Sequence, residues 1–184
     1  MFKLLANKVI TGVISFSMML LSSYKGNEPD FSALQTSVFS EYIVLETNLI
    51  NAFENDFEEI FRSGKNIDIF FNITAEQNEV EIHKKRYKHS VKFNTMKQVF
   101  TATTEENGGT YNTNSYPELL QIISKFQLNL KVEDRSDLKI NLTSHLTKMT
   151  LKALGKEYDM MMLWNFRKPG IKETIELESY EIRS

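Results

Sequence analysis

Apolar residues in this chain recur mostly at every second position, the period of strands that bury one face. Ile67, Ile69, Phe71 and Ile73 alternate with Asp68, Phe70, Asn72 and Thr74, which predicts a half-buried strand. A turn at Glu76 to Asn78 leads into a second strand that starts at Val80 and Ile82. It crosses a basic run and recovers its apolar rhythm at Val91 and Phe93. Val99 to Thr103 predicts a third strand, closed by the turn Asn107-Gly108-Gly109, whose residues tolerate positive φ. Upstream, Leu34 to Val38 and Tyr42 to Leu49 are rich in β-branched and aromatic residues and predict a hairpin. Downstream, Leu128, Leu130 and Val132 alternate with polar residues, Asp134 to Asp137 turns the chain, and Leu138, Ile140 and Leu142 continue, the pattern of another antiparallel hairpin. Met160 to Phe166 is a dense apolar strand candidate. Ile171, Ile175 and Leu177 add one more before a Glu-rich end.

Two segments break this period. Ile50, Phe53, Phe57, Ile60 and Phe61 recur at steps of three and four with Glu54, Asp56, Glu58 and Glu59 on the other faces, predicting an amphipathic helix over 50–63 with Gly64 as its left-handed stop. Ser115-Tyr116-Pro117-Glu118 has the Ser-x-x-Glu form of a capping box, and Leu119, Leu120, Ile122, Ile123 and Phe126 follow at helical spacing. The expected fold is therefore α+β: an antiparallel sheet or sandwich of about seven to eight strands with two short amphipathic helices.

The N-terminus changes where this domain is expected to work. Lys3 and Lys8 precede the apolar stretch Val9 to Leu21, which is shorter than the ~20 residues a membrane span needs and has the order of a secretory signal. Residues 1–23 are expected to be a signal peptide, with a cut after Ser23, or an uncleaved N-terminal anchor. Residues 24–32, which hold Gly26 and Pro29, read as a linker, 33–178 as a single domain and 179–184 as a C-terminal tail. The chain contains no cysteine, which excludes a lipoprotein anchor and disulfide stapling, so the core must supply the stability. The formal net charge of −2 gives no reason to expect nucleic acid as a partner.

Candidate chemistry is sparse. The run His83-Lys84-Lys85-Arg86-Tyr87-Lys88-His89 concentrates positive charge. In a strand, Lys84, Arg86 and Lys88 project together and could hold an acidic partner or an anionic head group, whereas His83, Lys85, Tyr87 and His89 project oppositely. The alternative is an edge strand guarded by charge against pairing with other chains. His83 and His89 share a face but lie ~20 Å apart along an extended strand, beyond one metal ion's reach. No metal and no cofactor are expected. His145 has no neighbouring acid in sequence that would mark it as a base. There is no Gly-x-Ser-x-Gly elbow and no glycine-rich phosphate loop, so no catalytic residue is expected. Phe57, Phe61, Phe70, Phe71, Met162 and Trp164 are candidates for contact with an apolar partner or ligand.

The order of these elements resembles that of the DUF4390 family of exported bacterial proteins. A helix ending in a glycine turn precedes a strand (Phe53 to Gly64, then Ile67 to Ile73), and a strand dense in basic and aromatic residues follows (Val80 to Val91). A hairpin then leads into a short helix (Val99 to Phe126), and a late tryptophan strand comes last (Met160 to Phe166). The resemblance covers most of residues 34–175. Leu151 to Gly155 stand where the family carries a proline-flanked leucine segment. The resemblance implies an exported domain and transfers no catalytic residue.

The expectation is thus a non-enzymatic periplasmic interaction or structural module of the bacterial cell envelope. Its partner would be another envelope protein, in a setting such as an envelope-spanning assembly like the flagellar motor. Membrane contact would run only through an uncleaved N-terminal segment, and the oligomeric state is left open. The alternative is a carrier that holds an apolar ligand or lipid in a cavity between sheet and helix.

Overall fold

A computed structural model of the chain describes residues 26–55, 57–132, 134–151 and 156–180. The expected signal or anchor at 1–23 and the end of the expected tail lie outside them. The chain order is β1 (Asp30–Phe31), β2 (Gln35–Val38), β3 (Tyr42–Ile50), α1 (Phe57–Arg62), β4 (Ile67–Gln77), β5 (Val80–Asn94), β6 (Val99–Thr104), β7 (Gly109–Thr113) and α2 (Tyr116–Ser124). It continues with β8 (Lys125–Lys131), β9 (Leu138–Leu146), β10 (Lys148–Leu151), β11 (Lys156–Asp159) and β12 (Gly170–Ile175). The fold is the expected α+β arrangement, mostly antiparallel strands with two short helices. It uses more strands than the sequence pattern suggested, with β1, β2, β10 and β11 short and β4 and β5 long.

The larger sheet has the order β12-β9-β4-β5-β6-β7, and in the smaller one β3 lies between β8 and the β1 and β2 segments. Each described ladder is antiparallel. The alternation read from sequence sets the faces. Ile67, Ile69, Phe71 and Ile73 of β4 are buried, as are Leu138, Ile140 and Leu142 of β9 and Ile43, Leu45 and Leu49 of β3. The two inner faces meet through Phe71, whose ring stacks on Phe126 of β8 at 5.1 Å and lies 6.2 Å from Phe31 of β1. At one end α1 closes the core with Phe57, Ile60 and Phe61.

The β4–β5 turn carries positive φ at Asn78 (51°) and Glu79 (64°), the geometry whose twist matches a two-residue hairpin. Gly64 ends α1 at φ 76°, as expected. At α2 half of the capping box forms as predicted, with Ser115 Oγ accepting from the Glu118 backbone N–H. The other half runs through an intermediary. Thr113 Oγ1 accepts from the Ser115 N–H and donates to the Glu118 carboxylate.

Four expectations are corrected. The helix expected over 50–63 is confined to Phe57–Arg62, because β3 continues to Ile50 and the chain breaks at Asn51 and Asn55, both with positive φ. The hairpin expected between Leu128 and Leu142 does not form. β8 pairs with β3, while β9 pairs with β4 and β12, so this connection crosses between sheets. The strand expected at Met160 to Phe166 is a 3-10 helix over Met160–Trp164, capped by Asp159, whose carboxylate accepts from Met161 N–H. Finally, the described part of the expected linker, residues 26–32, belongs to the fold. Phe31 joins β1 and is buried, and Asn27 donates to the carbonyls of Ala52 and Glu54 while accepting from Asn55.

Candidate functional site: the basic end of β5

β5 is long enough to outrun one of its neighbours. Its ladder with β4 spans Ile67↔Val91 to Gln77↔Val80, with an irregularity at Ala75/Glu76, but its ladder with β6 covers only His89↔Thr104 to Asn94↔Val99. The β6–β7 turn ends that second ladder. Glu105 N–H donates to the Lys88 carbonyl at 3.1 Å, and the Glu105 carboxylate accepts from the Lys88 N–H at 3.0 Å. Beyond that point Val80 to Arg86 is paired on the β4 side alone. The basic run therefore occupies an edge, as one sequence reading anticipated, but the edge is half of an otherwise interior strand.

The alternation places Lys84, Arg86 and Lys88 on the outer face of the sheet, where register continues them into a grid. Lys88 lies opposite Phe70 and then His145, Arg86 opposite Asn72 and then Thr143, and Lys84 opposite Thr74 and then Asn141. Side chains link across these rows. Arg86 Nε donates to Asn72 Oδ1 at 2.9 Å, and Asn72 Nδ2 donates to His145 Nδ1 at 3.1 Å. The Phe70 ring stacks on His145 at 5.1 Å and carries the Arg86 guanidinium 5.6 Å from its centroid.

The direction of these bonds fixes the state of His145. Because Nδ1 accepts from Asn72, the ring is neutral with its proton on Nε2. Partial burial and the nearby charges of Arg86 and Lys168 hold its pKa below the ordinary histidine value, the same direction. On the opposite face of β5, burial and then Lys85 lower the pKa of His83. Tyr87 is buried there, and the Lys85 ammonium sits 4.6 Å above its ring.

The cations differ in their company. Lys84 is 3.0 Å from Glu81 in an exposed ion pair. Among the described residues, Lys85, Arg86 and Lys88 have no carboxylate partner within ion-pair distance. On the same outer face a groove of about 500 Å³ is lined by Thr74, Glu76, Lys84, Asn141 and Lys172, among others. It mixes both signs of charge and extends the polar surface beyond the aromatic row.

Inside the sheet at the same level lies a feature the sequence did not announce. His89 is fully buried, with Nδ1 donating to the Ile123 carbonyl at 2.9 Å and Nε2 2.9 Å from both oxygens of Glu106, whose side chain is 1% exposed. Both neighbours of the ring are acceptors, so one proton must be shared between Nε2 and the carboxylate. This pair ties β5 to the β6–β7 turn and to the last turn of α2. It is a staple for the end of the second ladder, and its two members are too distant in sequence for a local motif.

The apolar candidates separate. Phe57, Phe61, Phe71 and Trp164 are fully buried, whereas Met162 is partly buried against the core. Phe53 lies 5.2 Å from Phe57, 5.7 Å from Phe61 and 6.2 Å from Trp164, ring centroid to ring centroid. The Trp164 indole N–H donates to the Ala52 carbonyl at 2.8 Å. Phe70 points to the opposite side of the sheet from Phe71, so the two cannot line one cavity. Asn72 and His145, absent from the candidate set, join the cationic face, and only the registers of β4 with β5 and with β9 reveal them.

Among the described residues no helix is long and apolar enough to cross a membrane. No protein-family model, curated protein or solved structure matches this chain.

Proposed function

We propose that this chain is an exported, non-enzymatic interaction module of the bacterial cell envelope, and that it recognises a carboxylate-bearing segment of another envelope protein through the outer face of the β4–β5 ladder. The observation that carries this reading is the set Arg86, Lys88 and Phe70 on one face, with both cations lacking an acidic partner among the described residues. An arginine stacked on an aromatic ring keeps a planar fork of donors that matches a carboxylate. The neutral His145 beside it offers an Nε2 proton as a further donor. Export is supported by the order of charge and apolarity in residues 1–23.

Fluorescence anisotropy with a labelled glutamate-rich peptide tests the reading. The expected result is salt-sensitive binding that the charge reversal Arg86→Glu weakens at least tenfold. Equal binding by the variant counts against it, as does binding to anionic lipid vesicles in place of the peptide.

A further inference from the structure

We infer that the acidic partner segment docks as an added β-strand along the open edge of β5, pairing backbone to backbone with Lys84 and Arg86. This inference rests on the proposed recognition of an acidic segment and adds the way in which that segment is held.

The register supplies the argument. In an antiparallel sheet successive residues direct their backbone N–H and C=O to opposite neighbours. Lys88 directs both groups toward Glu105 on the β6 side, so Arg86 and Lys84, two and four residues earlier, direct theirs the same way. Thr147 N–H donating to the Asp68 carbonyl fits the same phase, since even-numbered residues of β4 then face β9. β6 has already ended at Thr104. Lys84, Lys85 and Arg86 are exposed, so no described part of the chain covers this side.

An open edge of this kind is a template for another strand. What selects the strand is charge. Side chains of an incoming segment alternate between faces, so acids at every second position would lie beside Lys84 and Arg86 on the outer face, with Lys88 next to its end. The intervening positions would lie on the side of Lys85 and the buried Tyr87, the face that leads into the apolar core, where apolar residues fit. The chemistry of the occupant is therefore an extended segment alternating acidic and apolar residues, entering where β6 would have continued.

The test uses the full chain and two peptides of the same sequence, alternating Glu and Val, one of them N-methylated at every second amide so that it cannot form a ladder on that edge. Binding is read by anisotropy and by amide hydrogen exchange. The inference expects the unmodified peptide to slow exchange at the amides of Lys84 and Arg86, and the methylated one to bind at least tenfold more weakly. Lys84→Pro should abolish the preference, because that N–H faces outward and its loss leaves the β4 ladder intact. Should Lys84→Pro fail to fold, the two peptides on the unaltered chain still decide. Equal binding of both peptides without protection overturns the strand inference and leaves ionic recognition standing. Binding of neither overturns both.

Discussion

The two halves of β5 share one strand and one alternation, yet they do different things. From His89 to Val91 the strand has β4 on one side and β6 on the other, β6 continues alone to Asn94, and His89, Val91 and Phe93 sink into the core. From Val80 to Arg86 it keeps β4 alone, and its side chains are mostly exposed and charged. A buried polar group must be satisfied internally, so the paired half spends its one ionisable inward side chain on the His89–Glu106 staple. Solvent can satisfy the open half, where Lys84 pairs with Glu81 and, among the described residues, Lys85 and Arg86 have no acidic partner. An edge can thus be made inside a sheet by ending one neighbour early.

The largest effect should come from breaking the staple that ends the second ladder. Glu106→Ala leaves a buried imidazole nitrogen facing nothing and should cost about 3–5 kcal/mol of stability, measured by chemical denaturation. The double variant His89→Leu with Glu106→Leu should recover most of that loss, since apolar packing can replace a buried pair. A double variant as unstable as the single one would mean that the pair also directs the turn.

On the open half, Arg86→Ala should change stability by less than about 0.5 kcal/mol, as exposed positions do, while weakening the acidic peptide about tenfold, or roughly 1.4 kcal/mol. Comparable losses in both would erase the contrast between the halves.

Acid should sharpen the contrast. Burial lowers the pKa of both His83 and His145 below 6.5 in the folded chain, so the unfolded chain takes up protons first. The stability these rings contribute is present above about 6.5, the unfolded value, and is lost as pH falls through their folded values. Once His145 is protonated the outer face gains a charge, so peptide binding should strengthen over that window while stability declines. An NMR titration of the ring protons checks the order, and a His145 midpoint above 6.5 would reverse it. The smallest effect belongs to Lys84→Gln, which removes an exposed ion pair with Glu81 and should cost about 0.2–1 kcal/mol in thermal or chemical unfolding.

Much of the fold is legible because its signals are local. The alternation over Ile67 to Ile73 gives β4 its buried face, Gly64 marks the stop of α1, and Ser115 with Glu118 marks the start of α2. The misreadings are places where distant atoms decide. The helix over 50–63 is shortened because the Ala52 carbonyl is taken by Asn27 and by the Trp164 indole. Met160 to Trp164 coils because that same bond and the Asp159 cap hold it. Of the candidate site, the common face of Lys84, Arg86 and Lys88 could be read directly. Asn72, His145 and Glu106 could not, since each meets its partner across strands or a turn.

By itself, the order of residues determined which strand side chains face in, which face out, where α1 stops and where α2 starts, because those follow from a period of two and from caps a few residues long. Contacts between distant segments decided which strand lies beside which, that β8 and β9 part company, and that β6 stops short of the basic run. The reason is that strand pairing is made by backbone groups common to every residue, so its choice of neighbour leaves no mark in the local pattern.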